Sequence, residues 1–172
     1  MPMKPASIQT KRLSLRAVRE GDRADMLRIF KDPCVKKTYM LPDFDGEAAM
    51  DRLFHRFVQL SEDRERFVYG IAREDRLIGF LNETEKDEAF IELGYVIHPD
   101  WQRRGYMTEA LIAAIEALFR MGYKTVRAGF FEGNDASRRV MEKSGMTPTG
   151  RSDEIEYRGE VKKVICYEIK AG

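Results

Sequence analysis

The sequence lacks any long apolar run. No stretch has the length and hydrophobicity of a transmembrane helix, and residues 1–5 carry no apolar signal region. We therefore expect no membrane partner. Net charge is nearly absent as well, since 30 basic and 29 acidic residues leave +1. That balance gives no reason to expect nucleic acid binding.

Cysteine is scarce and widely spaced. Cys34 and Cys166 are the two cysteines, and they form neither a disulfide framework nor a metal-binding pattern. We expect a reduced, cytoplasmic protein without a metal. Repeats, low-complexity tracts and linkers are missing too, and 172 residues suffice for one core. The expected organisation is a single domain over residues 1–172.

Residues 94–110 form the most informative stretch. The apolar run Tyr95-Val96-Ile97 ends at His98-Pro99, and a glycine-bearing basic loop then leads into an apolar-periodic helix. Unpaired backbone N–H groups at a helix start, with the positive end of the helix dipole behind them, bind anions. Gly105 lets the backbone approach a ligand closely. The spacing matches neither a P-loop nor a dinucleotide-binding turn.

Apolar periodicity predicts the remaining elements. Their order is β-α-α-β-β-β-α-β-α-β-β, which favours an α/β fold: a mixed sheet of six to seven strands with helices on both faces. The predicted strands span residues 10–18, 67–72, 77–82, 90–98, 124–131, about 146–157 and 161–169. The first predicted helix begins at residues 21–22. Three further helices are predicted over residues 45–63, 108–121 and 135–143.

The basic loop closely resembles the Q/R-x-x-G-x-G/A loop of the GNAT (Gcn5-related) N-acetyltransferases, with Gln102, Gly105 and Met107 at the signature positions. Met107 departs from the usual small residue, but only its backbone N–H is needed. Residues 134–146, N-D-A-S-R-R-V-M-E-K-S-G-M, resemble the second marker of that family. Residues 10–16 and 92–95 are similar to the branch that holds ribosomal-protein N-terminal acetyltransferases and many small-molecule acetyltransferases.

This resemblance covers nearly the whole chain and implies the GNAT fold with acetyl-CoA as co-substrate. It implies that the pantetheine arm pairs with the edge of the strand and binds Asn134, and that the basic loop wraps the pyrophosphate. The backbone N–H of Ile97 is the expected oxyanion donor. Arg103 and Arg104 either add charge to this site or are simply solvated. The expected cofactor-binding residues are Tyr95, Val96, Ile97, Gln102, Arg103, Arg104, Gly105, Tyr106, Met107, Thr108 and Asn134.

Two side chains are the candidate catalytic groups. Glu92 is the first choice as a base, acting directly or through water, although it also fits a solvent-facing strand position; Glu154 and Glu156 are the alternatives. Many relatives place a tyrosine where this chain has Met141, which cannot donate a proton. Ser137 is then the nearest hydroxyl for the leaving thiolate, unless it is an ordinary helix-surface serine.

The predicted activity is transfer of an acetyl group to a primary amine, either a protein N-terminus or a small molecule. A polyamine or antibiotic acceptor, or an acyl-CoA sensor without turnover, are the alternatives. Asp43, Asp45 and Glu47 form an acidic stretch that would favour a cationic acceptor, although acids are common at a helix start. The protein is expected to be a monomer or homodimer.

Overall fold

The computed structural model describes residues 3–172. Met1 and Pro2, the first residues of the predicted domain and of the segment searched for a signal, lie outside the described residues. Eight strands and five α-helices are present in that part of the chain. The strands are β1 Ile8–Gln9, β2 Ser14–Arg16, β3 Val68–Arg73, β4 Arg76–Lys86, β5 Phe90–Ile97, β6 Thr125–Phe131, β7 Thr147–Tyr157 and β8 Glu160–Lys170. The helices are α1 Arg23–Lys31, α2 Pro33–Thr38, α3 Gly46–Glu62, α4 Tyr106–Arg120 and α5 Asp135–Lys143.

All eight strands belong to one sheet in the order β1-β2-β3-β4-β5-β6-β8-β7. Among the described strands only β5 and β6 pair in parallel, because α4 connects them as a crossover. Two apolar clusters cover the two faces: one contains α4 and Met141 of α5, and the other contains α1 and α3. The predicted mixed sheet with helices on both faces is confirmed, and no described helix has the length and apolar character needed to cross a membrane.

The N-terminal part of the sheet differs from the prediction. Within the predicted strand over residues 10–18 only Ser14–Arg16 is a strand, β2, and a further short strand, β1, precedes that range at Ile8–Gln9, so the sheet has eight strands rather than six or seven. Strand β2 is buried on both faces, since Leu15 and Arg16 are both buried. Arg16 is accommodated because its guanidinium donates to both carboxylate oxygens of Asp22 at 2.8 and 3.0 Å.

Helix α2 was absent from the prediction. Asp32 caps it, accepting hydrogen bonds from the backbone N–H groups of Cys34 and Val35 at 2.9 and 3.1 Å, and Pro33 stands at its first position. Six residues are too few to show a helical period of apolar residues, so the sequence pattern did not predict this helix.

A gap in the sheet positions the site. Strand β5 pairs with β6 only from Phe90 to Leu93, whereas its pairing with β4 continues to Ile97. A bulge in β4, where the register shifts between Glu83 and Glu85, lies opposite the point where β5 leaves β6. Because a bulge bends its strand and increases the local twist, it accounts for the divergence of the two parallel strands.

Candidate active site

A cavity of about 690 Å³ occupies this gap. Its lining includes residues from both faces of the sheet, so it passes between β5 and β6 from one face to the other. On one face lie α5 and the start of α4, and on the other lies α2. Two reactants approaching from opposite faces can therefore meet within the gap.

Strand β5 contributes both backbone and side chains to this cavity. Gly94, Tyr95, Val96 and Ile97 all line it. The backbone N–H of His98 donates to the Ile78 carbonyl at 2.8 Å, and backbone groups alternate along an antiparallel pair. The N–H groups of Tyr95 and Ile97 therefore point away from β4 and into the gap. This direction is the one that strand-like pairing with an amide ligand, or an oxyanion contact at Ile97, requires.

The basic loop forms one end of the cavity. Gly105 has φ +79° and caps α4 without any side-chain hydrogen bond. The first N–H groups of α4, those of Tyr106, Met107 and Thr108, have no intrahelical acceptor and line the cavity with Gly105. Arg103, also at positive φ, lines it as well. The loop thus presents backbone donors and a guanidinium to an anion.

The N-terminal hairpin supports this loop from behind. Arg12 donates to the Arg104 carbonyl at 3.0 Å and to Glu109 at 2.8 Å, and its guanidinium lies 4.4 Å from the centroid of the Tyr106 ring. Although burial opposes it, hydrogen bonds from Thr10 and Arg12 lower the pKa of Glu109, so this carboxylate stays ionised. Residues 10–16 resemble a family marker, but no role for Arg12 followed from the sequence.

Two predicted loop residues have other contacts. The Gln102 side chain lines the cavity but donates its amide to the Ile97 carbonyl at 3.1 Å, which fixes the turn between strand and loop. Arg104 does not line the cavity; its guanidinium lies 5.4 Å from the Trp101 ring centroid. Its proposed contact with pyrophosphate stays a prediction.

The first turn of α5 faces the gap. Asn134 is the N-cap, since its Oδ1 accepts from the Ser137 N–H at 3.2 Å, which leaves its Nδ2 group as a donor for a ligand. The Ser137 Oγ lies 2.9 Å from the Tyr95 hydroxyl, and all three side chains line the cavity. Burial raises the pKa of Tyr95, and the Ser137 contact opposes this only partly. Met141, at the position of the missing tyrosine, is fully buried in the core.

Glu92 lies beside the cavity rather than in its lining. Its Oε2 accepts a hydrogen bond from the Thr84 hydroxyl at 2.9 Å, at the bulge where the gap begins. Its side chain is on the α2 face of the sheet, the face opposite to Tyr95, because residues alternate along a strand. A proton from an acceptor amine would thus reach Glu92 through water. Its role as base stays a prediction.

Helix α2, which was not predicted from the sequence, forms one wall of the cavity. Cys34, Val35, Thr38 and Tyr39 line the cavity there. The Tyr39 hydroxyl donates to the Asn82 Oδ1 at 2.8 Å, and burial raises the pKa of Tyr39 to about 12. The Asp32-Pro33 pair, a cap followed by a first-turn proline, was the available signal for this helix.

The acidic stretch near α3 is largely neutralised. Asp43 forms an ion pair with Arg158, and Glu47 lies 2.9 Å from the Arg23 guanidinium. Among the described residues, Asp135 is the one carboxylate that lines the cavity. The attraction expected for a cationic acceptor is correspondingly weak.

Comparison with known protein families agrees with this geometry. The family model described as acetyltransferase (GNAT) domain matches residues 12–147. The chain belongs to the GNAT acetyltransferase family. It is therefore an acetyl-CoA-dependent N-acetyltransferase, and the family assignment made from the loop and the second marker is confirmed.

Individual relatives agree on the fold. The N-acetyltransferase YoaA of Bacillus subtilis, whose own function is uncharacterized, is 26% identical over 157 residues, covering 88% of each chain. The microcin C7 self-immunity acetyltransferase MccE, solved with acetyl-CoA and AMP, superposes with a TM-score of 0.83 over 98% of each chain, at 16% identity. RimL, a ribosomal L7/L12 α-N-protein acetyltransferase, gives a TM-score of 0.80 at 18% identity, and the superposition covers 99% of this chain and 94% of RimL.

The residues present fit acetyl-CoA. Gly105 adopts a positive φ at the start of α4, the first N–H groups of α4 are uncapped, and β5 directs amides into the gap. When bound, acetyl-CoA supplies a thioester that an amine can attack. The contributions expected of the chain's own residues stay predictions: the loop would hold the phosphates, the Ile97 N–H would face the carbonyl oxygen where negative charge develops, and the Ser137 hydroxyl would lie near the sulfur.

Proposed function

We propose that this chain, as a single acetyltransferase domain, acetylates an α-amine, such as the N-terminus of a protein or peptide or the α-amine of an amino-acid derivative. The supporting observation is the cavity that crosses the sheet. Its α5 face suits the cofactor, and its α2 face offers an uncharged wall of Cys34, Val35, Thr38 and Tyr39. RimL, with the same fold, acts on a protein N-terminus.

Amine ionisation favours this acceptor over an alkyl amine. Only the neutral amine attacks, and an α-amine has a pKa of about 8 whereas a lysine-like amine has a pKa of about 10.4. At pH 7 the α-amine is therefore roughly 300 times richer in the attacking form. A site with one carboxylate in its described lining, and with Glu92 beyond direct reach, has little means to deprotonate an alkyl amine.

An acceptor panel tests the proposal. Release of the CoA thiol is measured at pH 7 and pH 9 with a short peptide that has a free N-terminus and no lysine. The comparison compounds are the same peptide with a blocked N-terminus and one lysine, and the polyamine spermidine. We expect the free N-terminus to be preferred at pH 7, with the alkyl amines gaining at pH 9. Preference for spermidine at pH 7 would contradict an α-amine acceptor.

A polyamine or an antibiotic is the alternative acceptor. An acyl-CoA sensor without turnover, which the sequence also allowed because Met141 cannot donate a proton, is disfavoured by membership of the acetyltransferase family, and thiol release with any amine of the panel would exclude it. The expected cytoplasmic location and the monomeric or homodimeric state stay predictions, which fractionation and sedimentation can measure.

A further inference from the structure

Ser137 differs from three other hydroxyl side chains in or at the ends of helices. A serine or threonine within a helix commonly turns back to donate to a carbonyl three or four residues earlier. Ser144 donates to the Val140 carbonyl at 2.7 Å, Ser61 to the Val58 carbonyl at 3.0 Å, and Thr38 to the Cys34 carbonyl at 3.1 Å. Ser137 instead has its Oγ 2.9 Å from the hydroxyl of Tyr95 on β5.

The Tyr95 phenol has two acceptors on the same residue. Its oxygen lies 2.9 Å from the Ser137 Oγ and 3.3 Å from the Ser137 carbonyl oxygen. Burial raises the pKa of Tyr95, so the phenol keeps its proton. Either hydroxyl can donate across the 2.9 Å contact, and the Ser137 Oγ is the nearer of the two acceptors open to the phenol. When Tyr95 donates to the Ser137 Oγ, the hydrogen of Ser137 is left over for a third group. Both side chains line the cavity, so that third group lies in the gap.

From this geometry we infer that Tyr95 is a positioning residue, whose phenol holds the Ser137 hydroxyl with its hydrogen directed at the departing sulfur of CoA. This inference rests on the proposed acetyltransferase function. As the amine nitrogen bonds to the acetyl carbon, the C–S bond breaks and its electron pair stays on sulfur, while the nitrogen releases one proton to water. The Ser137 hydrogen bond stabilises that thiolate, and neither hydroxyl gives up its proton.

A double-mutant cycle tests this arrangement. Tyr95→Phe removes one oxygen and keeps the ring, and Ser137→Ala removes the hydroxyl that faces the sulfur. We expect each single variant to lower kcat about tenfold, by the loss of one hydrogen bond to a charged group, with KM for acetyl-CoA nearly unchanged. If Tyr95 acts through Ser137, adding Tyr95→Phe to Ser137→Ala costs nothing further.

Tyr39→Phe is the matched control. It removes another phenol of the same cavity, and this phenol contacts Asn82 rather than Ser137. Its effect should therefore add to that of Ser137→Ala. Equal losses from Tyr95→Phe in the presence and absence of Ser137 would overturn the inference, as would a wild-type kcat in Tyr95→Phe.

Ligand affinity gives an independent readout that a purely structural role would not change. At pH 9.5, where the thiol of free CoA ionises substantially, Tyr95→Phe and Ser137→Ala should both weaken CoA while leaving desulfo-CoA unaffected. Equal weakening of both ligands would mean that Tyr95 shapes the slot in general, and would refute the inference. Failure of the wild type to bind either ligand would instead refute the proposed function.

Discussion

Replacing Gly105 with valine tests the phosphate loop most directly. Gly105 has φ +79°, a conformation that costs a non-glycine residue about 1–2 kcal/mol. An added Cβ would also stand 3.3 Å from the Arg12 Nη2. That atom ends a flexible side chain, so a small movement relieves the crowding. Backbone strain therefore dominates the cost.

The strain appears in one of two measurements. If the loop keeps its conformation, the free energy of unfolding falls by about 1–2 kcal/mol, and the valine methyl groups displace the Arg12 guanidinium that donates to the Arg104 carbonyl. Loss of that support then weakens CoA. If the loop relaxes to negative φ, binding must restore the strained form. The same 1–2 kcal/mol then appears as a roughly five- to thirtyfold weaker affinity for CoA.

Calorimetric titration with CoA and thermal unfolding, performed on the same samples, separate these cases. Gly150→Val is the matched control, because Gly150 has φ +81°, has no atom within 4 Å of its added Cβ and lies in β7, outside the cavity lining. It should lose stability while keeping wild-type affinity. A folded Gly105→Val protein with wild-type affinity would show that the phosphates bind elsewhere.

Three further substitutions probe other parts of the molecule. Glu92→Gln should lower turnover about tenfold at pH 7 with unchanged CoA affinity, and the deficit should shrink at high pH; a pH-independent rate equal to wild type would assign Glu92 a structural role. Arg12→Met should weaken CoA severalfold by releasing the Arg104 carbonyl, whereas Arg23→Met, which removes a surface ion pair away from the cavity, should not; equal affinities in the two variants would contradict this support. Burial lowers the pKa of Lys4 from 10.5 to about 8, so the unfolded state binds more protons than the folded state between these pH values, and the free energy of unfolding should rise with pH across that window. Chemical denaturation of Lys4→Met should show no such rise. An identical rise in the variant would exclude Lys4 as its source.

The geometry of the basic loop before α4 was predictable from sequence because its signals are local. A strand end, a glycine that can adopt positive φ and a helix start follow one another within about a dozen residues, and each depends only on its neighbours. Helix α3 was predicted for the same reason, since its apolar spacing spans Gly46–Glu62. Elements whose definition depends on distant partners were harder. Strand β2 buries Arg16 only because Asp22 is there to pair with it.

The residues of the site likewise divide into those whose positions follow from local sequence and those whose contacts depend on distant parts of the chain. Which residues of β5 face the cavity follows from its period of two, but which face meets cofactor and which meets acceptor depends on where α2 and α5 lie. The Tyr95–Ser137 contact joins residues 42 positions apart, and no local pattern announces it. Arg12 reaches the loop across 92 positions, which is why the opening marker could be recognised but not interpreted.

The alternation of β5 explains how one strand serves two reactants. Tyr95 and Ile97 pack on the α4 side of the sheet, while Val96 belongs to the α1–α3 cluster and Gly94 lies against Tyr39. Side chains on one face can thus contact the cofactor and those on the other the acceptor, while backbone N–H groups point into the gap between them. This division requires β5 to be free of β6 from Gly94 onward, and the β4 bulge lies opposite the point of separation. Without that bulge, continued pairing of β5 with β6 would close the cavity between them, which is where we propose that the acetyl group is transferred.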